Sequence, residues 1–77
     1  MNNQRRKQLS ELHAQIDDIK NQVESLRDEE QETYDNMPES FQNGERAEQV
    51  QSAIDNLETV ISSLDEALTG IDDATTN

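Results

Sequence analysis

Carboxylates are the only chemically active side chains that this sequence of 77 residues carries in quantity. Asp and Glu number 18 against 6 Lys and Arg, which gives a formal net charge of −12. Eight of these carboxylates, which we call the acidic cluster, lie near the middle of the chain: Asp28, Glu29, Glu30, Glu32, Asp35, Glu39, Glu45 and Glu48. Carboxylates at this density can bind a basic surface, or simply keep a small protein in solution.

Residue patterns that support catalysis are missing. His13 is the single histidine, and its nearest carboxylate, Glu11, lies two positions away and faces elsewhere on a helix. The adjacent pairs Asp17–Asp18 and Asp72–Asp73 lack the spaced oxygens and turn glycine of a calcium loop. The chain has no cysteine and no glycine-rich phosphate loop. We therefore expect a protein that is not an enzyme, with no catalytic residue, no cofactor and no metal site.

The apolar residues are spaced as on two amphipathic helices. In each of two segments they recur at alternating steps of three and four, the heptad spacing of helices that pack along one face. The first series is Leu9, Leu12, Ile16, Ile19, Val23 and Leu26, and the second is Ala47, Val50, Ile54, Leu57, Ile61, Leu64, Leu68 and Ile71. With alternate members at heptad positions a and d, the pattern predicts an all-α, coiled-coil-like fold.

Proline and glycine between the two series predict the hinge of an antiparallel helical hairpin. Pro38 disfavours helical backbone at the residue before it, and Asn43–Gly44 is a turn signal. The expected segments are a flexible basic arm (1–7), a single hairpin domain (8–71) with a helix (8–36), a hinge (37–43) and a helix (44–71), and a frayed acidic tail (72–77). The side chains expected to close the hairpin are Tyr34, Met37, Pro38 and Phe41.

Charged residues beside the two series predict how the helices pair. Position e of the first helix holds His13, Lys20 and Arg27, and position e of the second holds Glu58, Asp65 and Asp72. Paired residue numbers in a hairpin have a constant sum. The pairs 13/72, 20/65 and 27/58 all have the same sum, which places the fold point between residues 42 and 43. We therefore expect three basic–acidic contacts in one register, each contributing about 0–1 kcal/mol.

The apolar surface exceeds what one partner helix can cover. A second stripe on the second helix, Ala53, Val60 and Ala67, runs beside the main series at steps of seven. A hairpin of this size is thinly stabilised, because burial must offset about 1.5 kcal/mol for each ordered residue. We expect the stripe to form a homodimer interface in a four-helix bundle, or else to dock on another protein.

The hinge region resembles an element of known proteins. Residues 29–48 contain two acids, an aromatic residue, the run Asn36–Gln42 and then Glu45–Arg46. This pattern resembles short acidic helical proteins of bacteriophages, prophages and their hosts, most of which have no assigned function. Gly44 stands where the pattern has Ser, and Ala47 stands where it has Gly. The resemblance implies a phage or mobile-element origin and a helical shape, but no activity.

Two functions of different classes fit these features. An acidic rod can occupy a groove that binds nucleic acid, since duplex DNA also presents dense negative charge. Small acidic phage proteins that inhibit host enzymes act in this way, so the resemblance favours a DNA-mimicking inhibitor of a host protein. The alternative is a structural adaptor that binds partner helices through the apolar stripe. The chain is too acidic to bind nucleic acid directly, and the expected location is the host cytosol without a membrane partner.

Overall fold

The protein is an all-α hairpin of two long helices. The computed structural model describes residues 1–76, with helix α1 at Asn3–Asp35, a short 3-10 turn at Glu39–Phe41 and helix α2 at Glu45–Thr76. The two helices lie antiparallel and form a rod whose Cα extents are 59 × 14 × 12 Å. The predicted all-α helical hairpin is confirmed. Neither helix carries an apolar stretch with the length and hydropathy that crossing a membrane requires.

Helix α1 begins at Asn3, five residues before the predicted start. The side chain of Asn2 accepts a hydrogen bond from the backbone N–H of Arg5 at 2.8 Å, which caps the helix. Asn is among the preferred residues at this position because its oxygen satisfies a backbone donor that has no partner inside the helix. The expectation of a flexible arm over 1–7 is therefore wrong from residue 3 onward.

The hinge, residues 36–44, is one residue longer at each end than the predicted 37–43, and apolar side chains close it only in part. Asn36 ends α1, and its N–H donates to the Glu32 carbonyl at 3.0 Å. The Pro38 carbonyl then accepts from the N–H of Phe41 at 2.8 Å within the 3-10 turn. Tyr34 and Met37 are half-buried, as expected for residues that close the hairpin. Pro38 is exposed and Phe41 is 63% exposed, so the prediction that these two residues pack at this end is wrong.

Helix α2 continues beyond Gly70, where the sequence predicted its last turn. Gly70 does not adopt positive φ, so it does not end the helix as a left-handed cap. The hydroxyls of Thr75 and Thr76 donate to the carbonyls of Ile71 and Asp72, respectively, at 3.0 and 2.7 Å. The predicted frayed tail is therefore helical as far as Thr76, and Asn77 lies outside the described residues.

The core is a single row of α2 side chains covered by one face of α1. Its buried members are Ala47, Ile54, Ile61 and Leu68, the predicted a positions of α2. The predicted d positions of α1 do not join this core. Leu12, Ile19 and Leu26 are 47%, 49% and 53% exposed, so assigning them to the hairpin core was wrong.

The reason is a rotation of α1 about its axis. Positions a and e of this helix, rather than a and d, face α2, and the e residues His13, Lys20 and Arg27 are all half-buried. Long basic side chains can cover apolar surface with their carbon stems while the charged ends reach solvent or a carboxylate. Only 21% of the Lys20 side chain is exposed, less than half the exposure of Ile19. The rotation of α1 about its axis thus leaves a row of large apolar side chains on the outside of the hairpin.

Candidate interaction surfaces

Two of the three predicted contacts between the helices are confirmed. Lys20 Nζ lies 2.6 Å from Asp65 Oδ1, and His13 Nε2 lies 3.1 Å from Asp72 Oδ1. These contacts are seven residues apart on each helix, so both belong to the predicted register. The hairpin therefore folds about the predicted point. This register also tells which residue of α2 lies opposite each residue of α1.

The third predicted contact, between Arg27 and Glu58, is wrong. The Arg27 guanidinium instead donates from Nε and Nη2 to Asp28 Oδ1, at 3.2 and 3.1 Å. The adjacent carboxylate is reached without extending the side chain across the groove between the helices, which makes it the closer partner. Arg27 is half-buried, as the other e residues of α1 are, but its contact with Asp28 lies within α1 and does not join the two helices.

Lys20 is the most strongly held charge in the hairpin. The hydrogen bond to the Asp65 carboxylate, with the negative charges of Asp65 and Glu24 nearby, raises the pKa of the Lys20 ammonium above its ordinary value of 10.5. Partial desolvation acts in the opposite direction. Glu24 lies one turn further along α1, with its Oε1 3.6 Å from Lys20 Nζ. Lys20 therefore stays protonated throughout the neutral range and fixes the register of the two helices.

The structure brings the predicted acidic cluster to one end of the rod. Five of its carboxylates lie on the last turns of α1, one on the 3-10 turn, and two on the first turn of α2. All are exposed except Glu30, which is half-buried. The hinge thus gathers carboxylates that are up to 20 positions apart in sequence into a single surface.

This cluster has little neutralising charge of its own. Asp28 is paired with Arg27, and Asp35 accepts a hydrogen bond from Gln31 Nε2 at 3.0 Å. Among residues 1–76, no other member of the cluster lies within 4 Å of a basic side-chain nitrogen. The C-terminal end of α1 and the N-terminal end of α2 meet here with opposite partial charges that offset each other, so the carboxylates set the sign of this surface. The end of the rod therefore presents a strong anionic potential.

A second candidate surface is apolar and runs along the side of the rod. Leu12, Ile19 and Leu26 of α1, together with Val60 of α2, are between 43% and 53% exposed. We call these four residues the exposed stripe. Exposed apolar side chains that line up in this way are typical of surfaces that bind another protein.

An open groove of about 530 Å³ shows that the two helices contribute to this surface together. Leu26 of α1 lines it beside Ala53, Leu57 and Val60 of α2, with Glu29 at its edge. The predicted interface residues of α2 therefore lie on this face, where Val60 and Ala67 are exposed and Ala53 is half-buried.

Sequence reasoning missed the contribution of α1 to this face. It placed Leu12, Ile19 and Leu26 in the hairpin core, because a regular heptad does not reveal how far each helix is rotated. One available signal was the basic character of position e, since lysine and arginine stems can replace a d row as core cover.

The open end of the rod holds a small polar cleft of about 190 Å³. It lies between Arg6 and Ser10 of α1 and Asp72 of α2, beside the His13–Asp72 contact. The Arg6 Nε atom is buried there without a hydrogen-bond partner. In the described part of the chain, no three His, Cys, Asp or Glu residues come together in a geometry that could hold a metal ion.

Comparison with protein-family models, with curated proteins and with solved structures gave no significant match.

Proposed function

We propose that this protein is a non-enzymatic binding module whose acidic cluster engages a basic, nucleic-acid-binding surface of another protein. In this role it acts as an inhibitor, because it occupies the groove that nucleic acid would otherwise enter. The resemblance of residues 29–48 to short acidic proteins of phages and prophages supports a host protein as the target and the host cytosol as the location.

One observation carries the proposal: eight carboxylates meet at one end of the rod, and within residues 1–76 only Asp28 among them is ion-paired, with Arg27. Like charges held this close repel one another and lower the stability of the fold. A cationic partner removes this repulsion on binding. The cluster is therefore matched to a surface of opposite charge and not to a small apolar ligand.

The proposal specifies the kinetics of binding. Complementary charge raises association rates toward about 10⁸–10⁹ M⁻¹s⁻¹ at low salt, and this rate falls steeply as salt screens the charges. Duplex DNA carries about one negative charge per 1.7 Å of its axis, so it competes for the same basic surface. We expect bound partners to be nucleic-acid-binding proteins that duplex DNA displaces.

The test compares two variants with the same net charge. The first neutralises the cluster through Glu29→Gln, Glu30→Gln, Glu32→Gln and Asp35→Asn. The second changes four exposed carboxylates outside the cluster: Glu11→Gln, Glu58→Gln, Glu66→Gln and Asp73→Asn. Each protein is immobilised, exposed to bacterial lysate at low salt, and eluted with duplex DNA.

The unchanged protein and the second variant should release the same nucleic-acid-binding proteins, and the first variant should capture none of them. Circular dichroism checks that both variants stay helical. Equal capture by the two variants would show that net charge alone, and not the cluster, attracts the partner. Proteins that resist elution by DNA would contradict mimicry of nucleic acid.

A structural adaptor is the second candidate, because the exposed stripe offers an apolar face for partner helices. Binding through this face would depend little on salt. Val60→Glu would then abolish capture, while the four amide substitutions in the cluster would leave it unchanged. The inhibitor proposal requires the opposite result from both variants.

A further inference from the structure

We infer that a second copy of this chain covers the exposed stripe, and that the two rods lie antiparallel so that α1 packs against the partner's α1. The inference concerns the side of the rod and does not depend on the function proposed for its acidic end. It rests on the exposure of the stripe, on its position along the rod and on the charges that lie beyond its two ends.

The stripe is placed symmetrically on α1. Ile19 is the middle residue of the helix Asn3–Asp35, and Leu12 and Leu26 lie seven residues to either side of it. A two-fold axis at Ile19 therefore places Ile19 against the partner's Ile19, and Leu12 against the partner's Leu26. This is the self-complementary arrangement that a closed dimer requires, in which each contact occurs twice.

Helix α2 also offers apolar residues on this face, near the level of Ile19 and toward the acidic end. The contact of Lys20 with Asp65 puts Ile19 at the level of Glu66, and the next residue, Ala67, is exposed. Val60 shares the groove with Leu26, seven residues toward the acidic end of the rod. The axis that passes Ile19 therefore passes close to Ala67, and α2 packs against the partner's α2. All four helices then meet in one bundle, with apolar rows at the contacts.

Charge selects this orientation. Arg5 lies on the line of the stripe, seven residues before Leu12, and it is followed by two more basic residues. Glu29 and Glu32 lie beyond Leu26 at the other end of α1. The two-fold axis at Ile19 brings Arg5 beside the partner's Glu29 and Glu32, and it does so at both ends of the dimer. Rim charges of opposite sign favour one orientation over another more than they add affinity.

The charges of α1 run against its own backbone dipole. Arg5, Arg6 and Lys7 lie in its first turns, where the dipole favours acidic residues, and Glu32 and Asp35 lie in its last turn, where it favours basic ones. In the antiparallel dimer each end of α1 receives the charge that it lacks from the partner. A dimer of parallel rods, with the two acidic ends together, would instead place sixteen cluster carboxylates, eight from each copy, at one end.

The oligomeric state is the first test. Light scattering after gel filtration should give twice the chain mass of 8.8 kDa. Ile19→Glu should raise the dissociation constant at least about a hundredfold, because it leaves an unpaired charge in an apolar contact. Asn21→Glu adds the same charge at an exposed position on the far side of α1 and should leave the dimer intact.

Circular dichroism keeps this test independent of folding, since Ile19 is half-exposed in the single hairpin and Ile19→Glu should retain the helices. An unchanged protein with the mass of one chain at high micromolar concentration overturns the inference and assigns the stripe to a different protein. Equal effects of the two Glu variants overturn it as well.

Cross-linking tests the orientation, because the chain has no cysteine of its own. Under mild oxidation the Ile19→Cys variant should form a disulfide-linked dimer. A mixture of the Leu12→Cys and Leu26→Cys variants should link to each other, and neither should link to itself. In the arrangement with the acidic ends together, α1 packs against the partner's α2, so Ile19→Cys would not link.

These outcomes are distinct from the test of the proposed function. Loss of dimerisation by Ile19→Glu does not touch the acidic cluster. Neutralising the cluster removes the charges of Glu29 and Glu32 that face the partner's Arg5, but it leaves the apolar contacts of the stripe, so the dimer mass should be unchanged. The eight carboxylates also outnumber the three basic residues that the partner brings to them. Each end of the dimer therefore still presents a negative surface.

Discussion

The same substitution at two isoleucines tests the rotation of α1 about its axis, which determines the face that α1 packs against α2. Ile54 is 1% exposed at the centre of the core, whereas Ile19 is half-exposed on the outside of α1. Ile54→Ala and Ile19→Ala change helix propensity equally, because both positions lie within long helices. The difference in their effects therefore reports packing alone.

The magnitude follows from burial. Replacing a fully buried Ile by Ala costs about 2–5 kcal/mol, which combines lost transfer energy with the cavity that remains. Ile54→Ala should lie near the middle of this range, at about 3 kcal/mol. Ile19 has about half its surface in solvent and leaves no closed cavity, so Ile19→Ala should cost about 1 kcal/mol in the single hairpin. The expected difference is about 2 kcal/mol.

Urea unfolding followed by circular dichroism provides the measurement, at the lowest protein concentration that gives a usable signal. A domain of this size is typically stable by about 4–12 kcal/mol, so both variants should retain a folded baseline. If a second copy covers Ile19, the loss at Ile19 should increase with protein concentration while the loss at Ile54 stays constant. Equal losses at the two positions in dilute solution would refute the rotation of α1.

Three further predictions concern the two glycines, the contact of Lys20 with Asp65, and the acidic cluster. Gly70→Ala should stabilise the protein by about 0.5–1 kcal/mol, because Gly70 lies in a helix interior and a Cβ there meets nothing within 4 Å. Gly44→Ala should bring no gain, because a Cβ there would lie 3.3 Å from the Phe41 carbonyl oxygen. Thermal melts of both variants check this. The raised pKa of Lys20 means that its contact with Asp65 contributes below pH 10.5 and is lost as pH rises through the folded-state pKa, so the unchanged protein should lose stability there relative to Asp65→Asn in a melting series. The four amide substitutions in the cluster should raise stability by about 1 kcal/mol, by removing like-charge pairs and acids at the end of α1; a lower melting temperature would contradict this.

The hairpin was predictable because its determinants are local or periodic. The spacing of apolar residues defines both helices, Pro38 stops the first, and the charges that pair Lys20 with Asp65 define the register. The errors occur where a weak local signal competes with tertiary packing. Gly70 is a poor helix residue, yet Leu68 and Ile71 on either side of it pack against α1 and carry the helix through. Asn2 caps α1 before a basic segment that resembled an arm.

The candidate surfaces were predictable to different degrees. The acidic cluster could be predicted from the sequence and the position of the hinge, because exposed charges gather at the end of the rod whichever face of each helix packs inward. The apolar surface depends on the rotation of α1, and a heptad pattern is the same whether position d or position e completes the core. Ile19 and Lys20 are adjacent in sequence, and only the structure shows that Lys20 faces inward and Ile19 outward.

Salt separates the two surfaces in a single experiment. Charges at the acidic end act through solvent, where the screening length falls from about 10 Å at 0.1 M salt to about 3 Å at 1 M. The side chains of Ile19 and Val60, which the inferred dimer would bury, are apolar, and burial of apolar surface does not weaken with salt. A partner bound through the acidic cluster should therefore dissociate as salt rises, while the protein keeps the mass of a dimer in the same light-scattering series. A dimer that falls apart at 1 M salt would show that Arg5 and the partner's carboxylates hold the copies together and that the stripe does not.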